Sequence, residues 1–313
     1  MSLRKALALG KERGFLNTFI DQPAVTARLC MRALEEGIEV PYVQDLIRKR
    51  RLIPEKPPLH LENWPWAIRI HTLGGFEFHR DGKPVEFSGK VPKKLLELLK
   101  AVIALGGREV REDEICDALW PEADGDMAHQ SFAMTLHRLR QLLGMGKAIQ
   151  LREGRLSLDP RYCWVDVRAF EDFLSQAETL WKEGNKDSGA ELTRKAVALY
   201  KGPFLPREME EPWILSAQER LRNEFLKSVS RLGLFLQQEE KWEEAIDLYQ
   251  KGIDADAVVE GFYQGLMTCY HRLDRRPEAL TVYGRCKKVL SSTFGIDPST
   301  KTQALYRALL SGQ

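Results

Sequence analysis

The stretch "SFAMTLHRLRQLLG", Ser131–Gly144, is the segment around which the fold of this chain can be predicted. Projected at 3.6 residues per turn, it places four apolar side chains on one stripe: Phe132, Leu136, Leu139 and Leu143. We therefore expect an amphipathic helix whose stripe packs on a core. The opposite side carries amide, hydroxyl, imidazole and guanidinium groups, and no Asp or Glu occurs from Met127 to Gly144.

This acid-free face leaves two alternatives open, a solvated surface and a surface for a polyanion. Cationic helix faces are common on ordinary solvated helices. However, the chain contains 45 Asp and Glu residues, and a solvated face would usually mix both signs. Side chains of these types donate hydrogen bonds to phosphates and to base edges, and arginine can bind guanine through two bonds.

Composition limits the possible classes of protein. The chain has 313 residues, 43% of them hydrophobic and 29% charged, which is typical of a globular protein with two or three domains. A net charge of +2 gives no bulk argument for binding nucleic acid or a membrane surface. The five cysteines form no CxxC pair and predict free thiols in the cytoplasm. No apolar run has the length of a membrane span.

The N-terminal part of the chain is predicted to be helical. In "AVTARLCMRALEEG", Ala24, Ala27, Leu29 or Cys30, and Leu34 form one stripe, and Gly37 is positioned to end the helix. A second short helix is predicted over "PYVQDLIRKRR". The proline-rich segment that follows has no hydrophobic period, so we expect residues 1–53 to be a helical region and 54–65 a linker.

Residues 66–165 show the pattern of a mixed α+β domain. Short strands are predicted over "AIRIHTLG", "FEFHRDG" and "PVEF", with a hairpin turn at Asp81-Gly82. Three helices follow, over "PKKLLELLKAVIALGG", "REDEICDALWP" and the acid-free segment. The strands "AIQL" and "RLSL" then flank a turn at Glu153-Gly154. A third helix followed at once by a two-stranded ribbon is the winged-helix arrangement, a relative of the helix-turn-helix.

Residues 166–313 are predicted to be all-α. The segment "EEAIDLYQKG" (243–252) matches "PEALTVYGRC" (277–286), which aligns Ala245 with Ala279 and Tyr249 with Tyr283. Both offsets are 34 residues, the period of tetratricopeptide helix pairs. "AELTRKAVALYKG" (190–202) is similar in pattern. We therefore expect a tetratricopeptide-like helical repeat domain, the alternative being a helical bundle with chance similarity.

These segments resemble known families. Residues 67–165 resemble the OmpR/PhoB-type winged-helix effector domain, most specifically in "ICDALWP", "LHRLRQLLG" and "GRLSLDPRYCWVDV". Residues 166–313 resemble the bacterial transcriptional activator domain of the antibiotic-regulatory-protein (SARP) class, in "VDVRAFEDFL", "AVALYKGPFLP" and "EEPWILSAQERLR". Residues 3–53 look like the helical-repeat sensor region of MalT-like regulators, in "ERGFLNTFID". That last resemblance implies the C-terminal part of an ATP-dependent regulator with an ATPase module upstream.

The resemblance implies a sequence-specific transcriptional activator with named contact residues. Segment 127–144 is then the recognition helix, where Arg138 reads bases and Thr135, His137 and Arg140 hold phosphates; hairpin 148–158 is the wing. The full set of expected DNA-contacting residues is Lys93, Arg111, Gln130, Ser131, Thr135, His137, Arg138, Arg140, Gln141, Arg152 and Arg155. The partners implied are promoter DNA, with direct repeats bound by a homodimer, and RNA polymerase.

Two residues depart from the family pattern, and one loop has two interpretations. Gly154-Arg155 stands where many relatives have Gly-Tyr, which leaves the wing contact open. Arg111 stands where a serine often caps the second helix, so a cap is lost, but the arginine is long enough to reach a phosphate. The loop residues Glu122, Asp124 and Asp126 correspond to a segment that some relatives use to contact RNA polymerase, or they form a solvated turn.

Other chemistry is not indicated. From Trp66 to Val165 there are 15 Lys and Arg against 14 Asp and Glu, a balance of +1, so basic residues must be segregated for DNA binding. "GMGKA" lacks the spacing of a phosphate loop, and no nucleophile motif is visible, so no enzyme activity or cofactor is expected. His129 and His137 are eight residues apart with no cysteine close in sequence, so no metal is expected.

Two further functions remain alternatives to DNA recognition. The chain is a protein-interaction scaffold if the winged helix does not read DNA. It is a ligand sensor if the helical repeats hold a small effector on their concave surface, a role that can coexist with DNA binding.

Overall fold

The structure, a computed structural model, describes residues 3–16, 22–54, 56–85, 93–208 and 211–311. The chain divides into two compact units, one formed by Met1–Asp172 with Arg207–Ala217 and the other by Phe173–Pro206 with Gln218–Gln313. Parts of four segments named above, residues 17–21, 86–87, 92 and 210, lie outside the described residues. The four domain ranges derived from the sequence stay predictions.

The predicted helices and strands occur in the predicted order, with two further short strands among them. The helices are α1 (Leu3–Glu12), α2 (Pro23–Glu35), α3 (Val40–Arg50), α4 (Lys93–Ala104), α5 (Glu112–Leu119), α6 (Gly125–Leu143), α7 (Asp166–Lys182), α8 (Lys186–Leu199), α9 (Pro212–Gln238), α10 (Trp242–Ala255), α11 (Glu260–Arg272), α12 (Arg276–Phe294) and α13 (Thr300–Ser311). The strands are β1 (Ile68–His71), β2 (Glu77–Arg80), β3 (Lys83–Pro84), β4 (Val110–Arg111), β5 (Ile149–Arg152), β6 (Arg155–Leu158) and β7 (Cys163–Val165).

Helix α2 buries a stripe slightly different from the predicted one. Ala27, Cys30 and Leu34 are buried, but Ala24 is exposed near the first turn of the helix. Between the two alternatives, Cys30 is buried more completely than Leu29. Gly37 has a φ of 63° directly beyond the end of α2, the left-handed conformation that favours glycine after a helix.

Two small sheets frame the helices of the first unit. Their strand orders are β3-β2-β1-β7 and β4-β6-β5. The two predicted hairpin turns are present, because Asp81 and Gly82 have φ of 51° and 78°, and Glu153 and Gly154 have φ of 49° and 68°. Positive φ at both central residues is the geometry of a type I′ turn, whose twist matches that of the flanking strands.

Three details of the sheets differ from the sequence-based expectation. The third strand is confined to Lys83–Pro84 rather than extending over "PVEF", although the Val85 N–H still donates to the Phe78 carbonyl at 2.9 Å. Strand β4 precedes α5, and strand β7 pairs in parallel with β1. Strands of two or three residues are too short to show a period of two, so neither was predictable.

The core of the first unit forms between α4, α5, α6 and the sheets. Helix α4 buries Leu98, Leu99 and Val102 without residual exposure. Helix α6 buries Phe132, Leu136, Leu139 and Leu143, the four residues predicted to form its apolar stripe. Each such side chain contributes about 1.5–3 kcal/mol when removed from water. The buried stripe therefore fixes which face of α6 points outward.

Asp166 anchors the start of α7 to the end of β1. Its carboxylate accepts hydrogen bonds from the Thr72 N–H at 2.7 Å, the Thr72 hydroxyl at 2.7 Å and the Leu73 N–H at 2.8 Å. It also accepts from the Val167 N–H at 2.8 Å, which caps the helix. Arg168 donates to the Leu158 carbonyl at 2.9 Å and so connects the same segment to β6.

The second unit is built from antiparallel helix pairs. Ala245 in α10 and Ala279 in α12 are both fully buried, as their equivalent places in a 34-residue repeat require. Tyr283 stacks on Tyr306 of α13 with ring centroids 3.9 Å apart. The predicted architecture is thus confirmed: an α+β winged helix-turn-helix followed by an all-α tetratricopeptide-like domain, with a short helical segment at the N-terminus.

Candidate nucleic-acid interface

Beyond Asp126 in its first turn, the outward face of α6 carries no carboxylate and is mostly polar. Gln130, His137, Arg138 and Gln141 are exposed, while Ser131, Thr135 and Arg140 are half-buried at its edges. Among the residues that the structure describes, none forms a hydrogen bond or ion pair with the Arg138 guanidinium. Its five N–H donors therefore point to solvent from the middle of the face.

Other side chains on this face already have intramolecular contacts. The Thr135 hydroxyl donates to the Ser131 carbonyl at 2.7 Å, and the side chains of Gln141 and His137 are bonded at 3.1 Å. Arg140 donates through Nε to the Ile149 carbonyl at 3.4 Å, which ties the helix to the first strand of the wing. These contacts orient the side chains and leave part of their hydrogen-bonding capacity unused.

Both ends of α6 are capped. The Asp124 carboxylate accepts from the Met127 N–H at 2.9 Å, and Gly144 ends the helix with a φ of 68°. Arg80, from the β2 hairpin, donates to the Leu142 carbonyl at 3.1 Å and bonds one of the free carbonyls of the last turn. Sequence reasoning missed Arg80, because this bond joins residues 62 positions apart.

Three arginines lie in one row across the wing sheet. Arg111 is the register partner of Arg155, and Arg155 is the register partner of Arg152. Directly paired residues point to the same face of a sheet, with Cα atoms about 4.5–5.5 Å apart. Like charges in this position repel each other, so the row is a strongly positive surface. We call Arg111, Arg155 and Arg152 the arginine row.

The row is only partly neutralised by the protein itself. Arg111 pairs with Asp113 at 3.1 Å, and Arg155 donates to the Glu109 carbonyl at 3.4 Å. Arg152 has no bonding partner among the residues described. A groove on the same side of the sheet is bordered by two further basic residues, Arg108 and Arg161, which the sequence did not single out.

The base of the wing is held by Asp159. Its carboxylate accepts from Arg161 Nη2 at 2.6 Å and from Gln150 Nε2 at 2.9 Å. Burial alone would raise the pKa of Asp159, but the hydrogen bonds and charge of Arg161 hold that pKa below its ordinary value. The Asp159 N–H also donates to the Ala148 carbonyl at 2.9 Å, which closes the hairpin opposite its tip.

The remaining predicted residues lie at the borders of this surface. Lys93 is almost fully exposed at the start of α4 and lies 3.5 Å from Glu97. Glu122 and Asp124, in the turn between α5 and α6, and Asp126, in the first turn of α6, are all exposed. Because Asp124 also caps α6, its carboxylate has a structural role whatever else it contacts.

Within the described part of the chain, acidic side chains approach only the first turns of α6. His129 Nδ1 lies 2.7 Å from a Glu112 carboxylate oxygen, and this hydrogen bond raises the pKa of His129. Cys116 Sγ lies 4.0 Å from the same nitrogen. Burial, together with the charges of Glu112 and the neighbouring acids, raises the pKa of the Cys116 thiol to about 11. The face from Thr135 onward has no such neighbours.

All five cysteines are free and buried. Within the described ranges, no helix is both long and apolar enough to cross a membrane.

Comparison with known proteins connects the second half of the chain to a family. Residues 165–310 match the family model of the bacterial transcriptional activator domain. The regulatory protein AfsR of Streptomyces coelicolor is 26% identical over 245 residues, and the match covers 78% of this chain but 24% of AfsR. The regulatory protein DnrI of Streptomyces peucetius is 24% identical over 262 residues, covering 78% of this chain and 92% of DnrI.

A solved structure gives the same fold. Mycobacterium tuberculosis EmbR, determined in complex with a low-affinity phosphopeptide, has a TM-score of 0.62 and 22% identity, covering 79% of this chain and 66% of that one. The chain spans about a quarter of the length of the AfsR proteins of two Streptomyces species. The curated relatives all carry the name of regulatory proteins.

Proposed function

We propose that this chain is a sequence-specific DNA-binding transcriptional regulator that activates transcription. The observation that carries the proposal is the joint position of an unpartnered Arg138 on a carboxylate-free helix face and a row of three arginines on the adjoining wing. Both surfaces belong to the same unit of the chain. A polyanion with a regular groove, such as double-stranded DNA, is the ligand that can contact both the helix face and the arginine row.

Helix α6 is the proposed reading element. A helix fits the major groove of B-DNA, where each base pair shows a distinct pattern of donors and acceptors. Arg138 is proposed to bind guanine through O6 and N7, and Gln130 and Gln141 are proposed to contact neighbouring bases. Ser131, Thr135, His137 and Arg140 surround it and are proposed to bind phosphates, since hydroxyl, imidazole and guanidinium groups all donate to them.

The arginine row is the proposed backbone contact. Phosphates that neutralise adjacent guanidinium groups also relieve the repulsion between them. Each arginine of the row therefore contributes more binding free energy with a polyanion than an isolated arginine would. Together with Lys93 at the start of α4, it gives an affinity that falls steeply as salt rises, despite the near-neutral charge of the whole chain.

Further partners are part of the same proposal. Glu122 and Asp126, exposed beside the start of α6, are proposed to contact RNA polymerase, together with the outer oxygen of Asp124. Two copies are proposed to bind direct repeats of the operator in the cytoplasm. The N-terminal helices are proposed to continue a MalT-like sensor region whose ATPase module lies upstream.

A titration with labelled DNA tests the proposal. The probe is the region upstream of the gene, and the control duplex has the same base composition in scrambled order. We expect tighter binding to the upstream DNA, with the advantage reduced by about 1–3 kcal/mol in Arg138→Ala. Arg307→Ala, which removes an exposed arginine from α13, should bind as the parent does.

The alternatives predict different outcomes of this titration. A scaffold whose winged helix does not read DNA would bind both duplexes equally, as would a ligand sensor that lacks DNA recognition. Equal affinity of the parent for both duplexes at several salt concentrations would sink the proposal. Unchanged discrimination in Arg138→Ala would show that α6 is not the reading element.

A further inference from the structure

Three side chains with different metal-binding atoms meet between α5 and α6. Glu112 and Cys116 lie one turn apart on α5, and His129 faces them from α6. One carboxylate oxygen, the thiol sulfur and one imidazole nitrogen all lie within 4.8 Å of one another. Glu112 and His129 Nδ1 are 2.7 Å apart, and Cys116 Sγ and His129 Nδ1 are 4.0 Å apart.

These distances are close to those of a tetrahedral metal site. With a zinc–nitrogen bond of about 2.0 Å and a zinc–sulfur bond of about 2.3 Å, tetrahedral ligands place nitrogen about 3.3 Å from oxygen and about 3.6 Å from sulfur. The observed separations differ from these values by about half an ångström each. A difference of this size is within the reach of side-chain rotation.

The outer side of the histidine is also arranged as in metal sites. His129 Nε2, the nitrogen turned away from Cys116, lies 3.7 Å from an Asp113 oxygen. Asp113 is in turn held by Arg111 at 3.1 Å. Metal-binding histidines usually donate their second N–H to a carboxylate, which fixes the tautomer and the orientation of the ring. For Nδ1 to become the ligand atom, it must give up the proton that it now donates to Glu112 at 2.7 Å.

We propose that Glu112, Cys116 and His129 form a binding site for a zinc-like divalent transition metal, with solvent as the fourth ligand. Nitrogen, sulfur and carboxylate ligands in a small tetrahedral set favour zinc over magnesium or calcium, which prefer six or more oxygens. The thiol proton of Cys116 and the Nδ1 proton of His129 are both released to solvent as the metal–sulfur and metal–nitrogen bonds form. The histidine and cysteine are 13 positions apart, so no sequence spacing reveals the site.

The site joins the two helices of the helix-turn-helix at the start of α6. Because the metal binds the folded arrangement and not the unfolded chain, it should stabilise the first unit. The proposal does not rest on DNA binding, and its test does not use DNA.

Titration of the full, reduced chain with cobalt(II) tests the proposal. Cobalt bound to a thiolate gives a sulfur-to-metal charge-transfer band in the near ultraviolet, and tetrahedral cobalt gives intense visible bands. In the parent we expect the charge-transfer band and the visible bands at one equivalent of cobalt. Cys116→Ser should lose the charge-transfer band, and His129→Gln should bind cobalt at least tenfold more weakly. Zinc should displace the cobalt and raise the thermal midpoint of the parent but not of His129→Gln.

His60→Gln is the matched control. His60 is also exposed and lies 2.9 Å from a glutamate, Glu35, yet the structure gives it no place in a metal-binding group. It should bind cobalt as the parent does. Because His129 is on the surface, His129→Gln is expected to remain folded, which circular dichroism checks. Absence of the charge-transfer band in the parent, or its full retention in Cys116→Ser, would overturn the proposal.

Discussion

Gly144 sets the end of α6 through its backbone conformation. Its φ of 68° is one that side chains with a Cβ rarely adopt, and an added Cβ would lie 3.4 Å from the Arg80 side chain. We expect Gly144→Ala to destabilise the first unit by about 1–2 kcal/mol, and Gly144→Asn by less. Urea unfolding of both variants measures this, and equal stability of Gly144→Ala and the parent would contradict it.

Asp159 gives the first unit a stability that depends on pH. Its pKa is lowered in the folded state, so its contribution is complete above the unfolded pKa of about 4 and is lost as pH falls through the folded pKa. We expect Asp159→Asn to lose about 1–3 kcal/mol at pH 7, and this difference from the parent to shrink as pH falls below about 4.

Thermal unfolding at several pH values measures this difference. Asp247→Asn, at an exposed carboxylate on α10, is the control and should follow the parent throughout. A gap between Asp159→Asn and the parent that stays constant from pH 7 to pH 2 would contradict the role of the Asp159–Arg161 contact.

At the scale of single residues, the sequence predicts which side chains are exposed but not which side chains contact each other. The exposure of Arg138 and the burial of Leu136 follow from the 3.6-residue period alone. The Arg80 cap and the approach of Cys116 to His129 depend on how elements pack. No local pattern carries that information.

In the wing, the strand register creates a positive surface that no single arginine would form. Each arginine of the arginine row was predicted individually, but their alignment follows from the pairing of β4, β6 and β5. The type I′ turn at Glu153-Gly154 was predictable from turn chemistry and fixes this register. Strand β4, only two residues long, was not predictable, and it contributes Arg111 to the row.

Removal of one arginine from the row should weaken binding to all DNA sequences alike. We expect Arg152→Ala to lower affinity for specific and scrambled duplexes by a similar factor and to reduce the slope of log K against log salt by about 1. Anisotropy titrations at four salt concentrations measure the slope. A variant that loses discrimination but keeps the parent slope would contradict a backbone role for the wing.

At the scale of the whole chain, the second unit depends on close helix packing around Tyr249. A Cβ on Gly233 of α9 or on Gly265 of α11 would lie 2.5 Å from the ring of Tyr249. Only glycine leaves room for the ring at these two positions. The 34-residue period predicted the helix pairs, as Ala245 and Ala279 confirm. It did not predict these glycines, because they lie in the intervening helices.

Two substitutions in one helix test this packing. Gly265→Ala should destabilise the second unit by about 1–3 kcal/mol because the ring of Tyr249 must shift. Gly261→Ala, in the same helix, meets no atom within 4 Å and should be neutral or stabilise by up to about 1 kcal/mol. Chemical denaturation of both variants measures the two changes in unfolding free energy. Equal changes at the two sites would contradict the close packing around Tyr249.

The central claim is that α6 reads DNA sequence, and selection from a pool of randomised duplexes tests it most directly. The full chain is used to enrich bound duplexes over several rounds, in parallel with Arg138→Ala and Arg307→Ala. We predict that the parent and Arg307→Ala enrich one common motif containing a guanine, and that Arg138→Ala loses preference at that guanine alone. Failure of the parent to enrich any motif, or an identical motif from Arg138→Ala, would contradict the account.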